Sequence, residues 1–449
     1  MAPAAKLSGF PEWLPADRIV EERVIDLLKH TFELNGFAAI HTRAVEPLSA
    51  LAKDGEIDKE IFAVRRLHAE GDEKNPLGLH FDLTVPTARY VTENAGRLDF
   101  PFKRYQIQPV WRGERPQDGR YREFIQADID VIGEDSLAEH FEVEIPLVIV
   151  QAFEALRSLG VPPVRILANN RKLLEGFARG IGLDDIAAVL RCIDKYDKVG
   201  PARVAELLAE EAGADAQQQR LCLALAAIEA DTSAFADEVR ALGVSDPLLD
   251  EGLDALARLL DSANRISPGS VVAQLKIARG LDYYTGTVYE TQLVGHESIG
   301  SVASGGRYDA LAKTDKRVYP GVGMSVGVSR LMSRLAGSEH RLLAATRSVP
   351  TAVLIAVTDE AHRVRADDVA YALRTRGIPA DVAPQAAKFG KQIKYADRRG
   401  IPFVWFTDGE TGHEVKDIRS GEQVGADPEL WAPPAADLWP RVVGTAEGA

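Results

Sequence analysis

The 449-residue sequence predicts an α+β body, interrupted by a helical insertion and followed by a smaller α/β domain. Three observations carry that expectation. Residues 105–110 and 124–131 alternate apolar and polar side chains with the two-residue period of half-buried strands. Residues 170–265 are rich in Ala and Leu at spacings of three and four, as in Val204, Leu207, Leu208 and Leu221, Leu225, Ile228, which is a helical pattern. Beyond Gly337, short apolar runs alternate with helical stretches that stop at glycine, the arrangement of a compact, mostly parallel α/β domain.

In chain order, residues 17–34 read as a helix and residues 78–85 as a strand. The two alternating runs form a hairpin, with Gly113, Pro116, Asp118 and Gly119 supplying the turn chemistry between them. The helical insertion follows, and strand character returns at Val271. In the last domain, residues 352–357, 380–382 and 402–406 read as strands, separated by helices ending near Gly377 and Gly400. The domain bounds expected are 1–165 and 266–340 for the split body, 166–265 for the insertion and 349–449 for the last domain.

A net charge of -14 argues against indiscriminate grip on nucleic acid, which requires phosphate neutralisation. Local grips remain open, because residues 102–124 hold six Lys or Arg against three acids. No apolar run approaches the length of a bilayer span, and the run at 145–150 is short and contains Pro146, so no membrane association is expected. The N-terminal stretch has no basic segment followed by an apolar one, so no secretory signal is expected. Cys192 and Cys222 form no CxxC pair, which predicts neither a disulfide framework nor a zinc site and suits a cytoplasmic protein.

Residues 102–133, FKRYQIQPVWRGERPQDGRYREFIQADIDVIG, put six cationic side chains on and around one hairpin, a pattern suited to holding phosphates. Three further segments stand out: RGLDYYTGTVYE at 279–290, SGGRYD at 304–309 and GVGMSVGVSRL at 321–331. The hairpin resembles the second signature motif of class II aminoacyl-tRNA synthetases in its histidine-specific form. The next two resemble the paired histidine-binding motifs of histidyl-tRNA synthetases, and the last resembles class motif three. Four motifs in the family's order are far more specific than any one of them. The resemblance implies a catalytic body on an antiparallel sheet flanked by helices, an inserted helical domain, a C-terminal α/β anticodon-binding domain and a homodimer. It also implies ligation of L-histidine to its tRNA with ATP, through a histidyl-adenylate.

Carried over residue by residue, the resemblance implies that Arg112 meets the α-phosphate, Glu114 the adenine amino group, and Arg330 the adenine and γ-phosphate. Arg279 corresponds to the arginine that such enzymes direct at the α-phosphate. Asp82 and Thr84 resemble the pair that holds the amino group of histidine, Gln126 the residue near its carboxylate, and Asp130, Tyr284 and Tyr308 those around the imidazole. If so, Gln126, Asp128 and Asp130 should share one strand face. Mg2+ would be held mainly by ATP phosphates, with no ligands assignable among the carboxylates. Lys388, Lys391, Lys394 and Arg398 fall at helical spacing and, in an anticodon-binding domain, are candidates for tRNA phosphate contact.

The sequence departs from the family pattern at three places: Arg43 replaces the motif-one proline, Ser329 replaces a glutamate before Arg330, and His80 stands where arginine is frequent. The clusters Gly305-Gly306 and Gly321, Gly323, Gly327 are expected to permit close backbone approach beside Arg307 and Arg330. The rival readings are a non-catalytic, synthetase-like regulatory subunit of histidine biosynthesis and a histidine- or tRNA-sensing module.

Overall fold

The computed structural model of the chain describes residues 7–52, 60–68, 75–278, 284–337, 341–409 and 412–445. It divides into two compact units, one formed by Val24–Arg334 with the residues up to Pro11, the other by Glu12–Arg23 and the residues from Leu335 onward. Among the described residues no helix is long and apolar enough to cross a membrane.

The first unit is organised by a nine-stranded sheet. Its order is Ala38–Ala39, Phe102–Trp111, Glu123–Ile132, Val318–Gly327, Ala303–Lys313, Thr287–Leu293, Val164–Asn170, Val271–Gln274 and Glu229–Ala230. Neighbours are antiparallel, except that Ala38–Ala39 runs parallel to Phe102–Trp111 and Val164–Asn170 parallel to Val271–Gln274. The two-residue period explains its two faces. Tyr105, Ala127, Ile129, Val131, Val322, Met324 and Val326 are buried apolar residues on one side, where helix Phe141–Arg157 packs. Each Val, Ile or Met side chain among them, removed from water, contributes roughly 1.5–3 kcal/mol. The intervening residues on the other side are polar.

Helix Pro15–Leu34 buries Val20, Val24, Leu28 and Phe32, one every four residues, as its sequence predicts. The strand expected over 78–85 is only partly present. Strand Leu77–Leu79 ends where the Asp82 carboxylate accepts the Val85 amide hydrogen at 3.1 Å, and the chain turns into helix Thr84–Asn94. The insertion carries helices Arg171–Gly180, Ile186–Asp194, Tyr196–Ala212, Ala216–Ala226, Phe235–Arg240 and Pro247–Ile266. Its expected start at 166 lies within the sheet strand Val164–Asn170, and the first helix begins at Arg171. Cys192 and Cys222 are buried and free.

In the second unit, strand Val353–Ile355 lies between Ala380–Val382 and Phe403–Gly409, parallel to both. The mostly parallel arrangement expected is half right: Gly412–Asp417 and Gln423–Gly425 extend the sheet antiparallel from Phe403–Gly409. Val353 and Ile355 pack with Val369, Leu373 and Trp405, whereas Leu354 packs with Ala396, Ile401 and Val404, so both faces are covered. Gly377 and Gly400, at φ +79° and +70°, follow helices Arg363–Thr375 and Phe389–Arg398 in the left-handed conformation that terminates them.

Candidate active site

The polar face of the large sheet is built by strand register. Arg104, Gln106 and Gln108 lie opposite Asp130, Asp128 and Gln126, and these in turn face Gly323, Ser325 and Gly327. Gly306 and Ser304 continue the rows onto the next strand. Gln126, Asp128 and Asp130 therefore share one face. At its centre the Arg104 guanidinium, fully buried, stands 2.5 Å from Asp130 Oδ2, and the Tyr308 hydroxyl donates to Asp130 Oδ1 at 2.7 Å. Burial raises the pKa of Asp130, and Arg104 and the Tyr308 bond oppose that rise.

Three glycines make this floor. A Cβ on Gly323 would lie 2.0 Å from Asp130 Oδ1, one on Gly321 2.4 Å from the Tyr308 ring and one on Gly306 2.7 Å from the Tyr284 ring. From the sequence these glycines are expected to allow close backbone approach. In the structure they leave volume for the Asp130, Tyr308 and Tyr284 side chains. Asp82 faces the same region: burial raises its pKa, while the Val85 amide, Arg112, His80 and Arg104 lower it. Thr84 opens the helix that follows.

Beside this floor lies a cleft lined by Arg112, Glu114, Arg120, Gln126, Ser325 and Arg330. Arg112 donates from Nε to the Phe81 carbonyl at 3.0 Å, lies over the Phe124 ring at 5.1 Å, and stands 4.0 Å from Glu114. Arg330, on helix Val328–Leu335, donates to the Gly119 and Ser301 carbonyls at 3.3 and 2.6 Å. Burial lowers the Arg330 pKa, as do the nearby charges of Arg120 and Arg112, with Glu114 and Glu290 opposing. Three guanidinium groups that feel one another across a small cleft make a site for a polyanion.

The other cations of residues 102–133 have different work. Lys103 pairs with Glu144, Arg104 is committed to Asp130, and Arg122 donates to the Glu114 carbonyl at 3.1 Å. Arg307, expected beside the glycine cluster, turns its side chain elsewhere. One residue away from Tyr308 on the same strand, Arg307 bonds Glu142 at 3.0 Å, Asp309 at 3.0 Å and the Leu137 carbonyl at 3.0 Å. Arg279 lies outside the described residues.

The three departures have local explanations. The Ser329 hydroxyl, 2% exposed as a residue, accepts the Ile125 amide hydrogen at 2.9 Å and ties the helix of Arg330 to the strand of Gln126. Arg43 joins Arg89 on the buried Glu46 carboxylate, at 2.8 Å each. His80 is buried, with Nε2 2.8 Å from the Pro109 carbonyl. In the second unit, Lys391, Lys394 and Arg398 border a groove on helix Phe389–Arg398. Lys388 precedes that helix with ψ 141° and is not part of its face, because the chain enters the helix there from an extended residue.

Arg104 was not singled out from the sequence, whereas Asp128 stands on the face expected for it. The signal for Arg104 was available in the two-residue period, which puts it on the face of Gln106 and Gln108.

Known proteins resemble this chain along its whole length. The family model described as Histidyl-tRNA synthetase matches residues 9–331, and the one described as Anticodon binding domain matches residues 351–429. The chain is 57% identical to a histidine--tRNA ligase of Cutibacterium acnes, covering 99% of this chain and 100% of that protein. It is 58% identical to one of Micrococcus luteus, covering 98% and 99%. Among solved structures, a histidyl-tRNA synthetase from Nostoc sp. PCC 7120 superposes with a TM-score of 0.84 at 31% identity, over 96% of this chain and 98% of that one. With the motifs in order, the polyanion cleft beside the Asp130–Tyr308 floor, and full-length relatives at this identity, the chain belongs to the histidyl-tRNA synthetase family.

Proposed function

We propose that the chain activates L-histidine with ATP, releasing pyrophosphate, and passes the histidyl group from the adenylate to the terminal ribose hydroxyl of its tRNA. The observation that carries this reading is the adjacency of two chemistries. One is the cleft of Arg112, Glu114, Arg120 and Arg330, and the other is the buried Asp130–Tyr308 floor.

In the first step the histidine carboxylate attacks the α-phosphorus, and negative charge moves onto phosphate oxygens and pyrophosphate. The carboxylate is already ionised, so no protein base is required. The protein holds the reactants in line and neutralises charge. Arg112 serves the α-phosphate, Glu114 accepts from the adenine amino group, and Arg330 serves adenine and the γ-phosphate. Arg279, by its motif, adds charge at the α-phosphate. Asp82 and Thr84 receive the α-ammonium, Gln126 lies near the carboxylate, and Asp130, Tyr284 and Tyr308 form the imidazole end. Tyr308 is held by its bond to Asp130, so its orientation is set before substrate arrives.

Mg2+ enters as part of the ATP substrate. It would be held mainly by the ATP phosphates, with few protein ligands. Lys391, Lys394 and Arg398 are exposed on one helix and contact tRNA phosphates, with Lys388 alongside. The enzyme works as a homodimer in the cytoplasm.

The regulatory-subunit reading is not favoured. A solved structure named an ATP phosphoribosyltransferase regulatory subunit/histidyl-tRNA synthetase from Bacillus halodurans shares the fold at 18% identity and a TM-score of 0.71. Arg112 and Arg330 are retained here, and so is a full anticodon-binding domain. Histidine-dependent exchange of labelled pyrophosphate into ATP tests the proposal, and exchange driven by another amino acid would overturn its specificity. Arg279→Ala should retain histidine binding while adenylate formation falls by several orders of magnitude, and equal loss of both would contradict its role.

A further inference from the structure

We infer that Asp128 is a further histidine-binding residue, whose carboxylate receives the α-ammonium of L-histidine together with Asp82. The inference rests on the histidine-activating reading of this site. Asp128 stands midway along strand Glu123–Ile132, between Gln126 and Asp130 and on their face, and is 3% exposed. Among the described residues it makes no ion pair, and its Oδ1 is buried without a hydrogen-bond partner. The Gln126 Oε1 atom on the same face is also buried and unsatisfied, and the Ser325 hydroxyl is a neutral donor directed at Asp128.

The groups that face Asp128 explain the deficit. Gln106 and Arg104 approach from strand Phe102–Trp111, Ser325 from strand Val318–Gly327, Asp130 along its own strand, and Asp82 from the segment before helix Thr84–Asn94. Ser304 and Glu290 continue the Asp128 row farther out. The Arg104 guanidinium is paired through Nη2 with Asp130 while its buried Nε has no hydrogen-bond partner, and Arg112 acts on Asp82. Three carboxylates thus face one buried guanidinium. Buried acceptors in a row with too little positive charge form a receptor for a cation with several N–H donors, and an α-ammonium has three. Burial pushes the Asp128 carboxyl up to about 7, with Asp130 and Asp82 adding to the rise and Arg104 and the Ser325 hydroxyl opposing it. A cation at Oδ1 favours the ionised form, so histidine binding draws the proton off.

The test is the histidine KM in pyrophosphate exchange, measured for the wild type and Asp128→Asn from about pH 5.5 to 8.5. The ratio of the two KM values cancels the substrate's own ionisations. It should stay near one below about pH 6, where Asp128 is protonated in both states, and rise to about tenfold above pH 8, with the ATP KM unchanged. A ratio that does not vary with pH, or an ATP KM that rises in parallel, overturns the assignment. Should the asparagine variant fail to fold, Asp128→Gly, which leaves no amide to satisfy, is judged by the same profile. Lack of any histidine-dependent exchange in the wild type would instead refute the underlying activity.

Discussion

Substituting alanine for Gly323 tests the floor of the site most directly. The added methyl would lie 2.0 Å from Asp130 Oδ1, 2.4 Å from its Cγ and 2.6 Å from the Ile129 carbonyl oxygen. Asp130 cannot swing aside cheaply, because Arg104 holds one oxygen at 2.5 Å and Tyr308 the other at 2.7 Å. Either two central strands separate or Asp130 leaves its partners, stranding a fully buried guanidinium. Breaking a buried pair in that way costs about 3–5 kcal/mol. That is a large share of the roughly 5–15 kcal/mol by which domains are stable. Urea denaturation of Gly323→Ala should show a loss of that size, and pyrophosphate exchange should show a raised histidine KM with a nearly unchanged ATP KM. The cause is isolated by combining it with Asp130→Ala. On that background the glycine substitution should cost only the ~1 kcal/mol needed to shift the Ile129 carbonyl. Full additivity of the two penalties, or an unperturbed single variant, refutes the reasoning.

Other outcomes follow from the same geometry. Ser329→Ala leaves the partly buried Ile125 amide without its acceptor and should lower stability by about 1 kcal/mol, read as the urea midpoint; an unchanged midpoint contradicts it. Arg330→Ala should lower kcat/KM for ATP by about a hundredfold or more, while histidine KM changes little. A matching loss for histidine would place Arg330 outside the nucleotide cleft. The triple variant Lys391→Ala, Lys394→Ala, Arg398→Ala should retain pyrophosphate exchange and bind tRNA with a salt dependence shallower by about two to three charges. An unaltered slope would remove that helix from the tRNA-binding surface.

Strand periodicity, helix phasing and glycine stops are short-range properties, set by φ/ψ sterics and by which side chains recur on one face. They made the hairpin of residues 102–133, the helical run after Asn170 and the strand–helix alternation of the last domain legible from sequence, and the four motifs named their family. The strand expected at 78–85 failed because one side chain, Asp82, captured a backbone amide and started a helix, a local competition that apolar alternation does not register. The antiparallel extension of the last domain was missed because its strands Gly412–Asp417 and Gln423–Gly425 are short and polar, with little apolar alternation to mark them.

What sequence alone determined is the set of elements and the chemistry available at each position of the site. Only the tertiary structure decided which charges meet. Arg104 and Asp130 face each other through hairpin register, Tyr308 reaches Asp130 across the strand of Gly321 and Gly323, and Ser329 closes onto Ile125 from a helix two hundred residues away in the chain. Arg307, adjacent to Tyr308, was assigned to the opposite side by the Glu142 carboxylate on a packed helix. The physical reason is the same throughout: a charge's role is fixed by burial and by the nearest opposite charge, and both depend on pairings between segments distant along the chain.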